Sequence, residues 1–117
     1  MKIVYIAHPI SGDIEGNLAK IREIVKGINT HFTDIVPFVP YYSDVVSMDD
    51  TIPELRARGI ANDNEMFRRK VMDELWVYGD HISSGVKAEI DLAVSLGIPV
   101  SFKSIKIRNV HDAERWV

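Results

Sequence analysis

The sequence predicts an α/β fold with a mainly parallel sheet, because short apolar strands alternate with helical patterns along the chain. The first strand, Lys2–Ala7, is a nearly unbroken apolar run rich in β-branched residues, as is typical of a strand buried on both faces. The segment after it predicts a helix, because its apolar positions fall on one face: Ile14, Leu18, Ile21, Val25 and Ile28. We therefore expect a three-layer, Rossmann-like or flavodoxin-like fold with four to five strands.

The remaining elements follow from the same patterns. Strands are predicted at residues 34–39, 73–78 and 98–102, and helices at 53–72 and 86–96. Asp13 is the expected N-cap of the first helix, a break is expected near Gly59, and Gly97 is expected to end the last helix. The polar residues 41–52 predict a long loop, and a short helix is predicted at 112–116 in the polar tail.

The composition sets limits on the function. The chain has 117 residues, 46% hydrophobic and 26% charged, with a formal net charge of −3, so we expect one globular domain over residues 1–117 and no nucleic-acid partner. The absence of cysteine excludes thiolate chemistry, and the four histidines show no metal-ligand spacing, so no metal or other cofactor is expected. No apolar stretch reaches about 18 residues, which predicts a cytoplasmic protein without a membrane partner.

Two loops with glycine and hydroxyl residues follow predicted strands and lead into helices. Residues 8–13 (HPISGD) follow the first strand, and residues 79–85 (GDHISSG) follow the third. Ligands of parallel α/β sheets bind beyond the carboxyl ends of the strands, where helix N-termini favour negative charge. These loops therefore predict a crevice for a small anionic molecule, with His8 and His81 as further loop residues of interest.

Glu89 is the most informative single position. It falls beside the apolar stripe of its helix, formed by Val86, Ile90, Ala93 and Val94, about one turn from the helix start. A carboxylate in that place suits a nucleophile or base. The alternative is a glutamate at the rim whose head reaches water, and spacing alone favours this alternative.

Other candidates also have two interpretations. Ser83, Ser84 and Gly85 either cap the helix or cradle an anion, and Tyr5 either fills the core or orients Glu89. Asp63 or Glu65 either brings a second carboxylate to the crevice or pairs with basic residues on a surface helix. Arg56 is either a phosphate ligand or an exposed helical arginine.

Three segments together resemble the nucleoside 2-deoxyribosyltransferase superfamily. They are residues 2–12 (KIVYIAHPISG), residues 73–79 (DELWVYG), and residues 82–93 (ISSGVKAEIDLA) followed by residues 97–100 (GIPV). The resemblance extends from Met1 to about Phe102. It implies that Glu89 is the nucleophile on the anomeric carbon and that Tyr5 positions it. It also implies a homodimer.

The resemblance further indicates a branch within that superfamily. Its transferases carry an aspartate six residues before the nucleophile, whereas its nucleoside 5′-monophosphate hydrolases carry a serine that contacts the phosphate; here the residue is Ser83. The loop from His8 to Gly12 corresponds to the other phosphate loop, but Ser11 stands where those hydrolases have arginine, and Arg56 is a candidate replacement. The second acid corresponds by spacing to Glu65, with Asp63 close by.

The sequence thus predicts an enzyme that cleaves the N-glycosidic bond of a nucleoside 5′-monophosphate, or transfers its deoxyribosyl group, through Glu89. Its partner is a small nucleotide. The alternative is a nucleotide-binding protein without turnover that acts as a sensor or sequesters its ligand.

Overall fold

A computed structural model describes residues 1–104, in which four strands alternate with helices. The elements are β1 (Lys2–Ala7), α1 (Ile14–His31), β2 (Ile35–Phe38), α2 (Tyr41–Ser47), α3 (Pro53–Arg68), β3 (Glu74–Val77), α4 (Ser84–Ser95) and β4 (Val100–Phe102). The strands of the described range form one sheet in the order β2-β1-β3-β4, and every pairing is parallel. The predicted α/β fold is confirmed, while the helix predicted at 112–116 lies outside the described residues.

Strand β1 lies inside the sheet and is covered on both faces. Val4 and Ile6 pack with Ile28 of α1 on one face. Tyr5 and Ala7 face the opposite layer, where the apolar residues of α3 and α4 include Phe67 and Val86. This arrangement has three layers, as predicted, and it explains why the first strand is apolar almost throughout.

Helix α1 begins at the predicted cap. The Asp13 carboxylate accepts a hydrogen bond from the Gly16 backbone N–H at 3.1 Å, and Leu18, Ile21 and Ile28 are buried on the sheet side. The Asp13 carboxylate can approach the backbone of residue 16 this closely only because that residue is glycine, since a Cβ at Gly16 would lie 2.1 Å from Asp13 Oδ2.

Residues 41–52 are not one long loop, as the sequence predicted, because Tyr41–Ser47 form helix α2. Serine and β-branched valine residues are weak helix formers, so helix propensity did not predict this helix. Pro40 precedes it in helical conformation, with φ −64°, and Asn62 Nδ2 on α3 donates to Asp44 at 3.3 Å. Tertiary contact with α3 therefore stabilises a helix that local preference does not favour.

Two further expectations are corrected. Helix α3 runs without a break through Gly59, where a Cβ would lie 3.7 Å from Asp44 Cβ, so this glycine marks the close approach of α2. Val94 is 65% exposed, although the sequence placed it on the apolar stripe of α4. Val94 lies about 80° around the helix from Val86, on the side away from Glu89, and this rotation takes it off the sheet.

Two glycines of α1 give matched substitutions. Gly27 has open space around its Cβ position, so Gly27→Ala is expected to raise the free energy of unfolding by about 0.5–1 kcal/mol. Gly16→Ala is expected to fall short of that gain by about 1 kcal/mol, because the new methyl group displaces the Asp13 cap. Urea denaturation measures both values. In an Asp13→Ala background the two substitutions should become equivalent, and a persistent difference would contradict the role of the cap.

Candidate functional site

A cavity of about 460 Å³ opens beyond the carboxyl ends of β1 and β3. Helices α2 and α3 form one wall, the N-terminal half of α4 forms the other, and the loop after β1 closes one end. The two loops that the sequence singled out therefore contribute to one crevice. Their contact depends on Gly79, whose φ is +110° and whose Cβ would lie 2.8 Å from Pro9 Cδ.

The N-terminus of α4 lines the cavity with Ser83, Ser84 and Gly85. Ser83 is the N-cap, and its Oγ accepts from the Val86 backbone N–H at 3.2 Å. Ser83 therefore has the capping role that the sequence offered as one of its two interpretations. The first-turn N–H groups that have no helical partner lie at the cavity wall, where they and the helix dipole favour an anion.

The loop after β1 contributes His8 and Ser11 to the cavity. His8 is 5% exposed, and because a carbonyl only accepts, its Nδ1–H donates to the Pro9 carbonyl at 2.7 Å. Burial lowers the pKa of His8, so the neutral ring leaves Nε2 as an acceptor. Gly12 shapes the turn, with φ +95°, and is not part of the cavity wall. His81 pairs with Asp80 on the surface.

Two carboxylates meet at the floor of the cavity. Tyr5 is fully buried on β1, and its Oη lies 2.7 and 2.9 Å from the two carboxylate oxygens of Asp63. The same hydroxyl group also hydrogen-bonds to Glu89. Glu89 therefore faces inward, and the rim position that spacing alone favoured is not observed.

Burial and proximity change the acidity of these groups. Burial, and then the Asp63 charge, raise the pKa of Glu89 well above its usual value. Burial also raises the pKa of Asp63, against the hydrogen bond from Tyr5, and the pKa of Tyr5 is raised well above its usual value by burial and by Glu89. Two buried carboxyl groups in contact do not both ionise readily, so the pair retains a proton above the ordinary carboxyl range.

Glu65 lies outside the cavity. Its carboxylate pairs with Arg68 and Arg69 on the surface of α3, and their hydrogen bonds lower the pKa of Glu65 to about 2. Of the two candidates for the second acid, the structure brings Asp63, not Glu65, to Glu89.

Arg56 reaches across the cavity mouth. Its Nη1 donates to Ser11 Oγ at 3.1 Å and lies 3.9 Å from Asp50 Oδ2. It is the one cationic side chain among the described residues that line the cavity, since His8 is neutral. The arginine therefore joins α3 to the loop after β1 at the cavity mouth.

The sequence reasoning missed the wall that α2 contributes. Tyr41 and Asp44 of α2, and Asp50 shortly after it, line the cavity, and the Tyr41 hydroxyl donates to the Ile6 carbonyl at 2.6 Å. Because this segment was interpreted as a loop, the sequence did not predict which of its side chains face the cavity. Within residues 1–104, no group of three or more His, Asp or Glu side chains is placed to hold a metal ion, and none of the helices combines the length and the hydropathy of a membrane span.

The family described as a domain of unknown function, DUF7768, matches residues 2–103. The chain belongs to this family. The structure is similar to that of a 2-deoxyribosyltransferase from the psychrotolerant bacterium Bacillus psychrosaccharolyticus, with a TM-score of 0.57, 18% sequence identity, and coverage of 86% of this chain and 70% of that chain. Among curated proteins, none matches the chain. The likeness confirms, at the level of the fold, the resemblance that the sequence showed.

The carboxyl pair predicts an unusual pH dependence of stability. The pKa of Glu89 is higher in the folded protein than in the unfolded chain, where it is near 4.5. The folded state therefore has its full stability below that unfolded pKa, and it loses stability as the pH rises toward and through the folded pKa. Glu89→Gln imitates the protonated form, because its amide accepts from Tyr5 and donates to Asp63. The variant should therefore be more stable than the parent at neutral pH, by about 1–3 kcal/mol. Denaturant unfolding from pH 4 to pH 8 measures the difference, which should grow with pH.

Glu65→Gln is the matched control for that substitution. The pKa of Glu65 is lowered, so its contribution is present above its unfolded pKa and is lost as the pH falls. The control should show no gain at neutral pH. An equal gain for both variants, or a gain for Glu89→Gln that shrinks as the pH rises, would contradict the shared proton.

Proposed function

We propose that the protein cleaves the N-glycosidic bond of a nucleoside 5′-monophosphate, with Glu89 as nucleophile. The observation that carries the proposal is the contact of Glu89 and Asp63 with one buried tyrosine hydroxyl, at the floor of a cavity whose rim carries anion-binding groups. A nucleoside 5′-monophosphate matches this arrangement, because its phosphate is anionic and its reactive carbon, C1′, lies across the sugar from that phosphate. The fold shared with a 2-deoxyribosyltransferase supports the same class of chemistry.

In the first step the Glu89 carboxylate attacks C1′ of the sugar. The C1′–N bond breaks, its electron pair goes to the base, and Asp63 supplies the proton that neutralises the departing nitrogen. The pair retains one proton, which rests on Glu89 because the pKa of Glu89 is raised more strongly, and it passes to Asp63, with which Glu89 is in contact, before the attack. The Tyr5 hydroxyl fixes both groups, because it donates to the Glu89 carboxylate and accepts from protonated Asp63.

In the second step water attacks C1′ of the glycosyl ester. Asp63, now a carboxylate, accepts the proton of that water, and the Glu89 carboxylate leaves with the electron pair of the ester bond. A second base in place of water gives transfer. The short separation of the carboxylates supports this double displacement, because inverting enzymes need about 6.5–9.5 Å between the two groups to hold a water.

The phosphate is assigned to the other end of the cavity. The first-turn N–H groups of α4, the Ser83 hydroxyl, Ser11 and Arg56 supply its donors. Neutral His8 supplies an acceptor, which suits a protonated phosphate oxygen or a sugar hydroxyl. Binding energy at this end, remote from C1′, holds the sugar in position for attack.

The decisive experiment is release of free base. A panel of ribo- and deoxyribonucleoside 5′-monophosphates is incubated with the protein, and free base is measured by chromatography. Glu89→Gln should bind the same nucleotides by calorimetry and lose at least about a thousandfold in turnover, because a neutral amide is a poor nucleophile.

Glu65→Gln is the control for the loss of charge, since Glu65 lies outside the cavity, and it should keep its activity. Cleavage that survives Glu89→Gln would overturn the mechanism. Tight nucleotide binding without any base release by the unaltered protein would instead select the alternative of a non-catalytic nucleotide-binding protein.

Arg56 gives a separate test of the phosphate end. Arg56→Gln should raise KM for a nucleoside 5′-monophosphate by about tenfold or more and leave kcat less affected, because it removes a charge-assisted contact remote from the reacting bond. The control is Arg68→Gln, a substitution at the far end of the same helix. If Arg56→Gln raises KM as much for the corresponding nucleoside, which has no phosphate, as for the monophosphate, Arg56 does not contact the phosphate.

A further inference from the structure

The wall opposite the N-terminus of α4 carries a carboxylate with no part in the mechanism above. Asp44 projects from α2 into the cavity and adds to the negative charge that raises the pKa of Asp63. It stands on the α2–α3 wall, whereas the proposed phosphate donors belong to α4 and the loop after β1, apart from Arg56, which reaches from α3 to Ser11 at the cavity mouth. With the phosphate at the N-terminus of α4, as the proposed function has it, this wall is the one that faces the base.

A chain of hydrogen bonds fixes the orientation of the Asp44 carboxylate. Arg58 Nε donates to Asn62 Oδ1 at 3.0 Å, which settles which end of the amide faces α2. Asn62 Nδ2 then lies 3.3 Å from both carboxylate oxygens of Asp44. Each carboxylate oxygen has two lone pairs, so this one N–H₂ group leaves acceptor capacity for a ligand.

The surrounding surface suits a flat, weakly polar ring. Met48, Leu55 and Ile60 line the same α2–α3 wall. Such a surface binds the faces of a nucleobase, while a carboxylate at its edge reads the groups in the plane of the ring. A carboxylate accepts hydrogen bonds and cannot donate them. It therefore attracts an amino group and repels a carbonyl oxygen.

We infer that Asp44 is a specificity residue that selects nucleobases bearing an exocyclic amino group. This inference rests on the proposed function and names the class of base. Cytosine and adenine present an N–H₂ group where uracil and hypoxanthine present a carbonyl oxygen. The preferred substrates are therefore the amino-bearing member of each pair.

The test compares the two pairs of monophosphates directly. With the unaltered protein, kcat/KM for the cytosine compound over the uracil compound, and for adenine over hypoxanthine, should be at least about tenfold, as expected for one hydrogen bond to a charged acceptor. Each pair is measured with ribose and with deoxyribose. Affinities for the Glu89→Gln variant, measured by calorimetry, should show the same preference without turnover.

Asp44→Asn should reduce each ratio to within about threefold. The substitution keeps an oxygen that accepts from Asn62, so the contact between α2 and α3 persists. Asp49→Asn is the matched control, because Asp49 bonds to Thr51 in the same segment and does not line the cavity, and it should keep the full preference. If Asp44 had a purely structural role, Asp44→Asn would lower kcat/KM equally for all four bases and leave the ratios unchanged.

The outcomes separate this inference from the proposed function. Base release with ratios near one in the unaltered protein would overturn the role of Asp44 and leave the proposed function standing. An unchanged preference in Asp44→Asn would overturn it as well. Absence of both nucleotide binding and base release would overturn the proposed function and the inference together. The comparison of bases with the unaltered protein does not depend on the folding of any variant.

Discussion

The hydroxyl group of Tyr5 holds two carboxylates together inside the protein, and the rest of the site depends on this interaction. Burying two acids side by side opposes folding unless they share a proton and a hydrogen-bonding partner. Here one phenol bonds to both: its O–H donates to the ionised carboxylate, and its oxygen accepts from the protonated acid. The phenol is itself fixed, because Tyr5 lies on the inner strand β1 and its ring packs with those of Phe38, Tyr41 and Phe67. The stability of the aromatic core thus maintains an arrangement that the acids alone would not adopt.

The fold gives this pair its surroundings through the parallel sheet. Parallel strands end at the same edge of the sheet, so the loops after β1 and β3 meet there, and α4 begins with N–H groups at the opening. The meeting of the loops is a backbone effect, since Gly79 lets Pro9 approach within a distance that any side chain would prevent. Hydrogen-bond donors at the rim and a protonated acid pair at the floor therefore follow from one topology.

Much of this was predictable from the sequence, and the failures have physical reasons. Periodicity sufficed for the strands and for α1, where long apolar faces are buried. Helix α2 was missed because its stability comes from contact with α3 and not from its own residues. Glu89 was ambiguous because it lies about 60° around the helix from Val86, at the edge of the apolar stripe, where a side chain packs either inward or toward water. What decided its direction was the Tyr5 hydroxyl, a contact between residues 84 positions apart.

The choice between Asp63 and Glu65 shows how local geometry corrects an argument from spacing alone. Counting residues back from β3 indicated Glu65, yet Phe67 is the buried anchor of α3. Asp63 lies four residues before Phe67 and shares its face, whereas Glu65 lies two residues before it, about 160° around the helix. The phase of α3 therefore directs Asp63 toward Tyr5 and Glu65 toward solvent, where the arginines one turn later neutralise it.

The electrostatics of the cavity limit how it binds an anion. Four carboxylates, those of Asp44, Asp50, Asp63 and Glu89, line it together with the single guanidinium of Arg56 in the described part of the chain. General attraction for negative charge is thus absent, and affinity for a phosphate has to come from directed N–H and O–H donors at one end. Such donors act over hydrogen-bond distances, so a ligand gains from them only when its anionic group lies at the N-terminus of α4. Negative charge on Asp44, Asp63 and Glu89 opposes an anion at the floor of the cavity, so in the proposed function the phosphate of a nucleotide lies away from these acids and C1′ lies toward them.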